Sequence, residues 1–279
     1  MKSYFFKTKN GFTLHYQVVE NILPATTVFL HGNVASNRWW IPTEEIYTKN
    51  SIGKNYTGDM ISIEFLGCGK SDAPRKPEDM DLIQFASDFN DILTEFKNKC
   101  QKCIENFNVV GHSTGGFIAA IMTSLNPELF SKSLLLNPVG AKGLPLTGVV
   151  KAAYEKMVTN KSLMTAAIGA AIYKNNFDSD FFKQVIAEDA IASVQKISYW
   201  VVQAFSVMDA TEVISRSTVP TLILFGEHDR ILTAADSQDL AYKYLQKGRF
   251  ELVRNQGHSM NVENPEAFVE KVSNFLFSN

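Results

Sequence analysis

The sequence predicts an α/β fold in which a mostly parallel sheet is flanked by helices and carries an inserted helical cap. Three observations predict it: short apolar runs alternate with longer helix-like stretches, one long segment late in the chain is helical throughout, and a glycine-flanked serine stands directly between an apolar run and a helix. Alternation of this kind is typical of parallel sheets, because each crossover between parallel strands needs a helix-sized connection.

The apolar runs predict where the strands lie. Two runs near the start, residues 4–9 and 12–19, are separated by Asn10-Gly11, a dipeptide that favours a type I′ turn. The sheet is therefore expected to begin with an antiparallel hairpin. The later runs have the composition of buried parallel strands. They occupy residues 27–30, 60–65, 107–110, 133–137, 221–225 and 250–253.

Helices are predicted between and after these strands. Residues 82–99 carry apolar side chains at helical spacing. Residues 234–246 stop just before Gly248, and glycine commonly terminates a helix. Pro265 would occupy the first turn of a final helix that ends at Phe277.

One segment interrupts the alternation of strands and helices. Residues 138–219 look helical, contain few convincing strands and are far longer than a single crossover helix requires. We therefore predict a core formed by residues 1–137 and 220–279, into which residues 138–219 are inserted as a cap. This cap is rich in methionine and aromatic residues. We expect most of them to pack the cap and a minority to line a substrate pocket.

Composition and charge exclude several classes of function. The 279 residues carry 27 Lys and Arg against 29 Asp and Glu, so no basic excess is available for a nucleic-acid partner. No stretch is long and apolar enough to cross a bilayer, and we find no secretory signal. Three cysteines suit a reducing compartment, so a cytoplasmic protein is predicted, with Cys100 and Cys103 interpreted as surface residues. No metal or cofactor is predicted.

A serine between glycines gives the strongest indication of chemistry. The string Gly111-His112-Ser113-Thr114-Gly115 follows a predicted strand directly and opens an apolar helix. Such a turn lifts the serine Oγ clear of the backbone, and it needs glycine where strand and helix approach each other. The turn also places Ser113 at a helix N-terminus, where free N–H groups favour developing negative charge. We predict that Ser113 is a nucleophile.

This turn resembles the nucleophile elbow of the α/β-hydrolase family, and the resemblance covers nearly the whole chain. The string TVFLHGN is similar to the family's strand and His-Gly turn, and EFLGCGKSDAP to its Gly-x-Gly-x-Ser loop, here Gly67, Gly69 and Ser71. The resemblance implies an α/β-hydrolase fold with a helical cap. It also implies an oxyanion hole formed by the backbone N–H groups of Asn33 and Thr114.

A serine hydroxyl needs a base within hydrogen-bond reach, and His258 is the candidate among five histidines. His31 and His112 belong to motifs in which the family uses histidine structurally. His15 lies in the opening hairpin and His228 in the loop expected to carry the acid. The string NQGHSMNVENPEAF around His258 closely resembles the family's catalytic-histidine loop.

The acid is expected at the end of a strand, because the functional groups of open α/β sheets gather at the carboxyl ends of their strands. The string GEHD follows the predicted strand at residues 221–225 and matches the family's G-x-x-D, which selects Asp229. Glu227 is the local rival. The family's other acid position holds Asn137 and so offers no carboxylate.

The triad of Ser113, His258 and Asp229 predicts a serine hydrolase that cleaves a carboxylic ester or lactone through an acyl-enzyme. The expected partner is a small apolar or acyl-bearing ester. In the resembled family the same residues also serve carbon–carbon bond hydrolases, perhydrolases and acyltransferases, and these alternatives stay open. A non-catalytic small-molecule receptor is a further class. Epoxide hydrolases and haloalkane dehalogenases are disfavoured because they place Asp where Ser113 stands.

Overall fold

The sheet is the centre of the fold. A computed structural model describes residues 1–19, 26–48, 59–99 and 104–277, and within them eight strands form one sheet. The strands are β1 (Lys2–Lys7), β2 (Thr13–Val19), β3 (Thr26–Leu30), β4 (Asp59–Ile63), β5 (Phe107–His112), β6 (Phe130–Leu136), β7 (Thr221–Gly226) and β8 (Gly248–Val253). Their spatial order is β1-β2-β4-β3-β5-β6-β7-β8. β2 is antiparallel to both of its neighbours, and all other neighbouring pairs are parallel. The predicted α/β fold is therefore confirmed.

Helices cover both faces of this sheet. They are α1 (Ile41–Thr48), α2 (Leu82–Lys99), α3 (Thr114–Leu125), α4 (Gly148–Thr159), α5 (Lys161–Ala171), α6 (Ala187–Ile197), α7 (Trp200–Ser206), α8 (Thr211–Ile214), α9 (Ala234–Asp239), α10 (Met260–Glu263) and α11 (Pro265–Leu276). α2 has the predicted bounds, and α11 begins at the predicted proline, where the side chain of Asn264 accepts a hydrogen bond from the N–H of Ala267.

Two apolar clusters hold the helices against the sheet. Successive residues of β5 point to opposite faces, as the alternation of side chains along a strand requires. Val109 belongs to a cluster that includes Phe117 of α3, and Val110 belongs to a second cluster that includes Phe268 of α11. All four side chains are fully buried. A sheet covered on both faces explains why its central strands are continuous apolar runs.

The opening hairpin differs from the predicted type I′ turn. A type I′ turn needs positive φ at both central residues, but Gly11 has a φ of 80° while Asn10 does not have positive φ. The loop is longer than two residues, because the N–H of Thr8 donates to the carbonyl of Phe12 and the N–H of Gly11 donates to the carbonyl of Thr8. The Thr8 hydroxyl also accepts from the N–H of Phe12, and these bonds favour the wider turn.

The helix predicted at residues 234–246 is also interrupted. Its first part is α9, and residues Leu240–Tyr244 continue it as a wider π-helical turn. The N–H of Leu245 donates to the carbonyl of Leu240, a wider spacing than an α-helix has. A Cβ atom at Gly248 would lie 2.2 Å from the carbonyl oxygen of Ala241, so glycine allows β8 to begin against this turn.

The segment between β6 and β7, residues 138–219, contains α4 to α8 and a π-helical turn at Phe182–Ile186. We call it the helical segment. It is tied to the loop after β3 by Asp189 of α6, whose carboxylate accepts from the Ser36 hydroxyl at 2.5 Å and from Arg38 Nη1 at 2.9 Å. The division of the chain into a core and a cap at these boundaries stays a prediction.

Candidate active site

Ser113 occupies the turn between β5 and α3 in a strained conformation. Its φ is 54° and its ψ is −116°, a combination that residues other than glycine rarely adopt. The turn is held because the N–H of Ser113 donates to the carbonyl of Leu136 at 2.9 Å and its carbonyl accepts from Phe117 at 3.2 Å. The arrangement places the serine at the start of α3, where the sequence predicts it.

Two glycines allow this turn to form. A Cβ atom at Gly111 would lie 2.3 Å from the carbonyl oxygen of Gly115. A Cβ atom at Gly115 would lie 2.3 Å from the carbonyl oxygen of Leu30, at the end of β3. Backbone atoms cannot move aside as a flexible side chain can. The G-x-S-x-G spacing therefore reflects close contact between β3, β5 and α3.

His258 lies in the loop between β8 and α10 and is hydrogen-bonded to Asp229. Its Nδ1 lies 2.8 Å from Asp229 Oδ2, and both side chains are almost fully buried. The rival carboxylate, Glu227, instead accepts a hydrogen bond from the N–H of Asn255. The structure thus brings Asp229 to His258.

Further donors surround the Asp229 carboxylate. Oδ1 accepts from the N–H groups of Ile231 and Leu232 at 2.7 and 3.0 Å, and Oδ2 accepts from Asn137 Nδ2 at 2.6 Å. Burial alone would raise the pKa of Asp229, but the hydrogen bond and charge of His258 and the two backbone N–H groups outweigh it and hold the pKa below its ordinary value. The carboxylate is therefore ionised at neutral pH.

Two other histidines support the site as neutral rings. His112 Nε2 donates to the carbonyl of His258 at 2.9 Å, and burial, with the neighbouring ring of His258, lowers the pKa of His112 to about 3. His31 Nδ1 donates to the carbonyl of Gly32 at 2.8 Å, and burial lowers the pKa of His31 to about 4. Both rings therefore act through hydrogen bonds to the backbone of the loops around the site.

Asn33 and Thr114 lie beside Ser113, and all three line one cavity with His258. Thr114 is the first residue of α3, so its N–H is one of the free donors of a helix N-terminus. Asn33 follows β3, and its side chain accepts from the N–H of Val34 at 2.9 Å. These positions are compatible with backbone N–H groups that receive an oxyanion.

The cavity encloses about 210 Å³. Among the described residues, no Asp, Glu, Lys or Arg side chain lines it. The helical segment contributes mostly apolar residues, Leu144, Met157, Met164, Ile168, Val201 and Phe205 among them. Tyr154 is the one described lining residue of this segment with a polar side chain, and its hydroxyl accepts a hydrogen bond from Asn33 Nδ2 at 3.3 Å.

Two contributions were missed by the sequence reasoning. Asn137, interpreted there as an unfilled acid position, is fully buried and donates its amide to Asp229. Trp39 and Trp40 are both packed in the core, and Trp39 also lines the cavity. The position of Asn137 at the end of β6, beside the strand that carries Asp229, is the signal that could have indicated its role.

The cysteines offer little chemistry to the site. Cys68 is buried, and burial raises the pKa of its thiol to about 12, so the thiolate is not formed at neutral pH. Cys100 and Cys103 lie outside the described residues. Within the described ranges, no group of three or more His, Cys, Asp or Glu side chains is placed to hold a metal ion.

Comparisons with known proteins agree with this architecture. The sequence profile of the alpha/beta hydrolase family matches residues 27–271. A Bacillus subtilis protein provisionally named 2-succinyl-6-hydroxy-2,4-cyclohexadiene-1-carboxylate synthase is 25% identical over 267 residues, which cover 90% of each chain.

Solved structures share the fold over nearly their whole length. An esterase from Exiguobacterium antarcticum superimposes with a TM-score of 0.81 at 21% identity, covering 98% of this chain and 99% of that one. An enol-lactonase from Burkholderia xenovorans LB400 superimposes with a TM-score of 0.78 at 19% identity, covering 98% and 100%. No helix in the described part of the chain is long and apolar enough to span a membrane. The chain belongs to the alpha/beta hydrolase family, as its motifs predict.

Proposed function

We propose that this α/β-fold hydrolase cleaves carboxylic esters or lactones through a Ser113, His258 and Asp229 triad. One observation carries the proposal: His258, bonded to a buried carboxylate at 2.8 Å, lines the same uncharged cavity as a serine held in a strained turn at a helix N-terminus. A base that is oriented by an acid and shares a cavity with a serine hydroxyl is the arrangement that acyl transfer to serine requires.

The reaction runs in two halves. Ser113 Oγ attacks the substrate carbonyl carbon while its proton passes to His258, and the backbone N–H groups of Asn33 and Thr114 receive the oxyanion. Collapse of this tetrahedral intermediate breaks the ester bond, and the departing alcohol oxygen takes the proton from His258. A water molecule then gives a proton to His258 as it attacks the acyl carbon. Collapse of this second tetrahedral intermediate breaks the bond to Ser113 Oγ, which takes the proton back from His258, and the acid leaves. Asp229 holds the imidazole in one tautomer and stabilises its protonated form.

The lining of the cavity supports a neutral acyl substrate. A charged group that enters would lose its hydration, and no ionised partner among the described lining residues would replace it. Met157 and Met164 are adaptable side chains that can fit several acyl shapes. The helical segment supplies this apolar wall, so we propose that it acts as a cap over the site. The volume of about 210 Å³ suits a small ester or lactone.

The direct test is the Ser113→Ala variant. Turnover of p-nitrophenyl esters and lactones should fall by at least about 1,000-fold, because nucleophilic attack is lost while the oxyanion donors remain. A fluorophosphonate probe should label the wild-type protein, and neither Ser113→Ala nor His258→Ala should react at a comparable rate. Ser124→Ala is the matched control, since this hydroxyl lies in the same helix and bonds only to backbone carbonyls.

Wild-type ester hydrolysis by Ser113→Ala would refute the proposal. A wild-type protein that binds the esters but neither turns them over nor reacts with the probe would indicate a receptor instead. The same residues can pass an acyl group to other acceptors, so product analysis with an added alcohol, thiol or hydrogen peroxide separates hydrolysis from acyl transfer and perhydrolysis.

A further inference from the structure

Glu263, at the end of α10, binds three backbone N–H groups with one carboxylate. Its Oε2 accepts from Gly257 at 2.6 Å, and its Oε1 accepts from Ser259 at 3.0 Å. These residues stand on either side of His258, so the carboxylate fixes the backbone before and after the imidazole. Oε1 also accepts from the N–H of Tyr173 at 3.0 Å, and Tyr173 belongs to the helical segment.

Tyr173 contacts the loop of the predicted acid as well. Its ring stacks on the ring of His228, with centroids 4.3 Å apart and planes inclined by 22°. His228 directly precedes Asp229 in the chain. One residue of the helical segment therefore touches the loop that carries Asp229 and, through Glu263, the loop that carries His258.

At Gly257 the loop of His258 lies in close contact with the helical segment. A Cβ atom at Gly257 would lie 2.5 Å from the Cβ of Tyr173 and 2.9 Å from Glu263 Oε1. Glycine at this position lets the loop of His258 lie directly against the helical segment. A displacement of Tyr173 would thus be transmitted to the backbone next to the imidazole.

We propose that Glu263 is a positioning residue that couples the position of the helical segment to the orientation of His258. The inference rests on the proposed function, because it treats His258 as the base. Besides the bond of its Nδ1 to Asp229, the imidazole depends on three hydrogen bonds to the backbone around it: those of the two N–H groups to Glu263, and that of the His258 carbonyl to His112. Hydrogen bonds to a carboxylate are roughly twice as strong as those between neutral groups, so the charge of Glu263 matters.

The coupling links substrate binding to the alignment of the base. The helical segment supplies most of the apolar wall of the cavity, and the same segment carries Tyr173. A substrate that fits the cavity leaves Tyr173 seated against Glu263, and His258 then stays aligned with Ser113. A substrate that forces the segment outward breaks this bond and reacts slowly even when it binds.

The test is Glu263→Gln, which keeps the shape of the side chain but replaces one accepting oxygen by a donor that faces backbone N–H groups. We expect kcat for p-nitrophenyl butyrate to fall by about 10- to 100-fold, since misplacement of a reacting group by about 1 Å can cost this much. KM should change less than about twofold, because the substrate cavity is not altered. The rate of fluorophosphonate labelling should fall with kcat.

Two further variants make the result specific. Glu270→Gln neutralises an exposed glutamate of α11 and should behave as the wild type. Tyr173→Ala keeps the N–H but removes the ring that stacks on His228, and it tests the coupling if Glu263→Gln does not fold. We expect Tyr173→Ala to lower kcat by about 3- to 10-fold. The kcat of the double variant should be at most about twofold lower than that of Glu263→Gln, because both changes break the same linkage.

Folded Glu263→Gln with wild-type kcat, or with raised KM at unchanged kcat, would overturn the coupling. Full multiplication of the two single effects in the double variant would also overturn it, since the residues would then act independently. Ser113→Ala, measured in parallel, separates the two proposals. If Ser113→Ala is inactive while Glu263→Gln is labelled at the wild-type rate, only the coupling fails. If Ser113→Ala retains activity, the proposed function fails.

Discussion

At the residue scale, the side-chain amide of Asn137 holds the carboxylate of Asp229 in place. Its Nδ2 donates to Asp229 Oδ2 at 2.6 Å while its Oδ1 accepts from the N–H of Gly226 at 3.3 Å. Its φ of 44° lies in the left-handed region, which Asn tolerates better than most residues. Oδ2 therefore has two donors, and Asn137 fixes the lone-pair direction that remains for His258.

Asn137→Ala should lower kcat/KM by about tenfold, because a hydrogen bond to a charged group contributes roughly 1.5–3 kcal/mol and part of this orients the acid. Steady-state hydrolysis, normalised to folded protein, measures the effect. Asn90→Ala is the matched control, since Asn90 is also buried but bonds to Met122 and Asn126 at the C-terminal end of α3. It should lose stability without losing activity. Wild-type kcat/KM in Asn137→Ala would show that the amide has only a structural role.

The predictability of the site differs from residue to residue. Ser113 could be predicted because the demands of its turn, two glycines and a helix start, are all written in five consecutive positions. Asp229 and His258 needed the resemblance to a family, since neither string alone states that the two side chains meet. Asn137 could have been noticed from its position at the end of β6, but its bond to Asp229 and the bond from Tyr173 to Glu263 join distant parts of the chain, which a single sequence does not reveal.

At the element scale, the turn between β5 and α3 stores backbone strain. Ser113 has positive φ, and a Cβ atom in such a conformation costs on the order of 1–3 kcal/mol. The surrounding contacts impose the strain: β6 accepts the N–H of Ser113, and β3 and α3 leave no space for a different turn.

Ser113→Gly should therefore be more stable than Ser113→Ala, by about 1 kcal/mol after the entropy cost of glycine in the unfolded chain. Both variants lack the hydroxyl, so the difference between their free energies of unfolding reports the backbone strain. Urea unfolding of the two variants at pH 7 measures the difference. Equal midpoints at equal slopes would mean that the turn is relaxed and that its geometry needs no support from the neighbouring elements.

The elements themselves were more predictable than their ends. Every predicted strand is present in the sheet. The central parallel strands were predictable because a sheet that is buried on both faces requires apolar runs. The hairpin turn and the end of α9 were predicted in the wrong form. Both depend on particular hydrogen bonds, from Thr8 to Phe12 and from Leu245 to Leu240, that propensities do not determine.

At the scale of the whole molecule, parallel strands assemble the site. β3 leads to Asn33, β5 to Ser113, β6 to Asn137, β7 to Asp229 and β8 to His258. Neighbouring parallel strands end at the same edge of the sheet, so residues far apart in sequence meet there. The helical segment then closes an apolar wall over this edge. The position of the site is thus set by the order of the strands, and its apolar wall is supplied mainly by the helical segment.

The site also makes the stability of the whole molecule depend on pH. Burial lowers the pKa of His31 to about 4 and, with the ring of His258, that of His112 to about 3. In the unfolded chain both rings bind a proton below about 6.5. Between about pH 6.5 and 4 these rings therefore bind protons in the unfolded state that they do not bind in the folded state, and their contribution to the free energy of unfolding falls as the pH falls.

The expected slope is at most about 1.4 kcal/mol per pH unit for each ring within this window. Urea unfolding at pH 7, 6 and 5 measures it, and His112→Gln should reduce the slope by roughly half. Asp229 and Glu64 have pKa values below their ordinary ones, so their contributions are complete above about pH 4.3 and are lost only at lower pH. The two windows can therefore be separated. A slope that is the same in His112→Gln as in the wild type would contradict the neutral, buried state of His112.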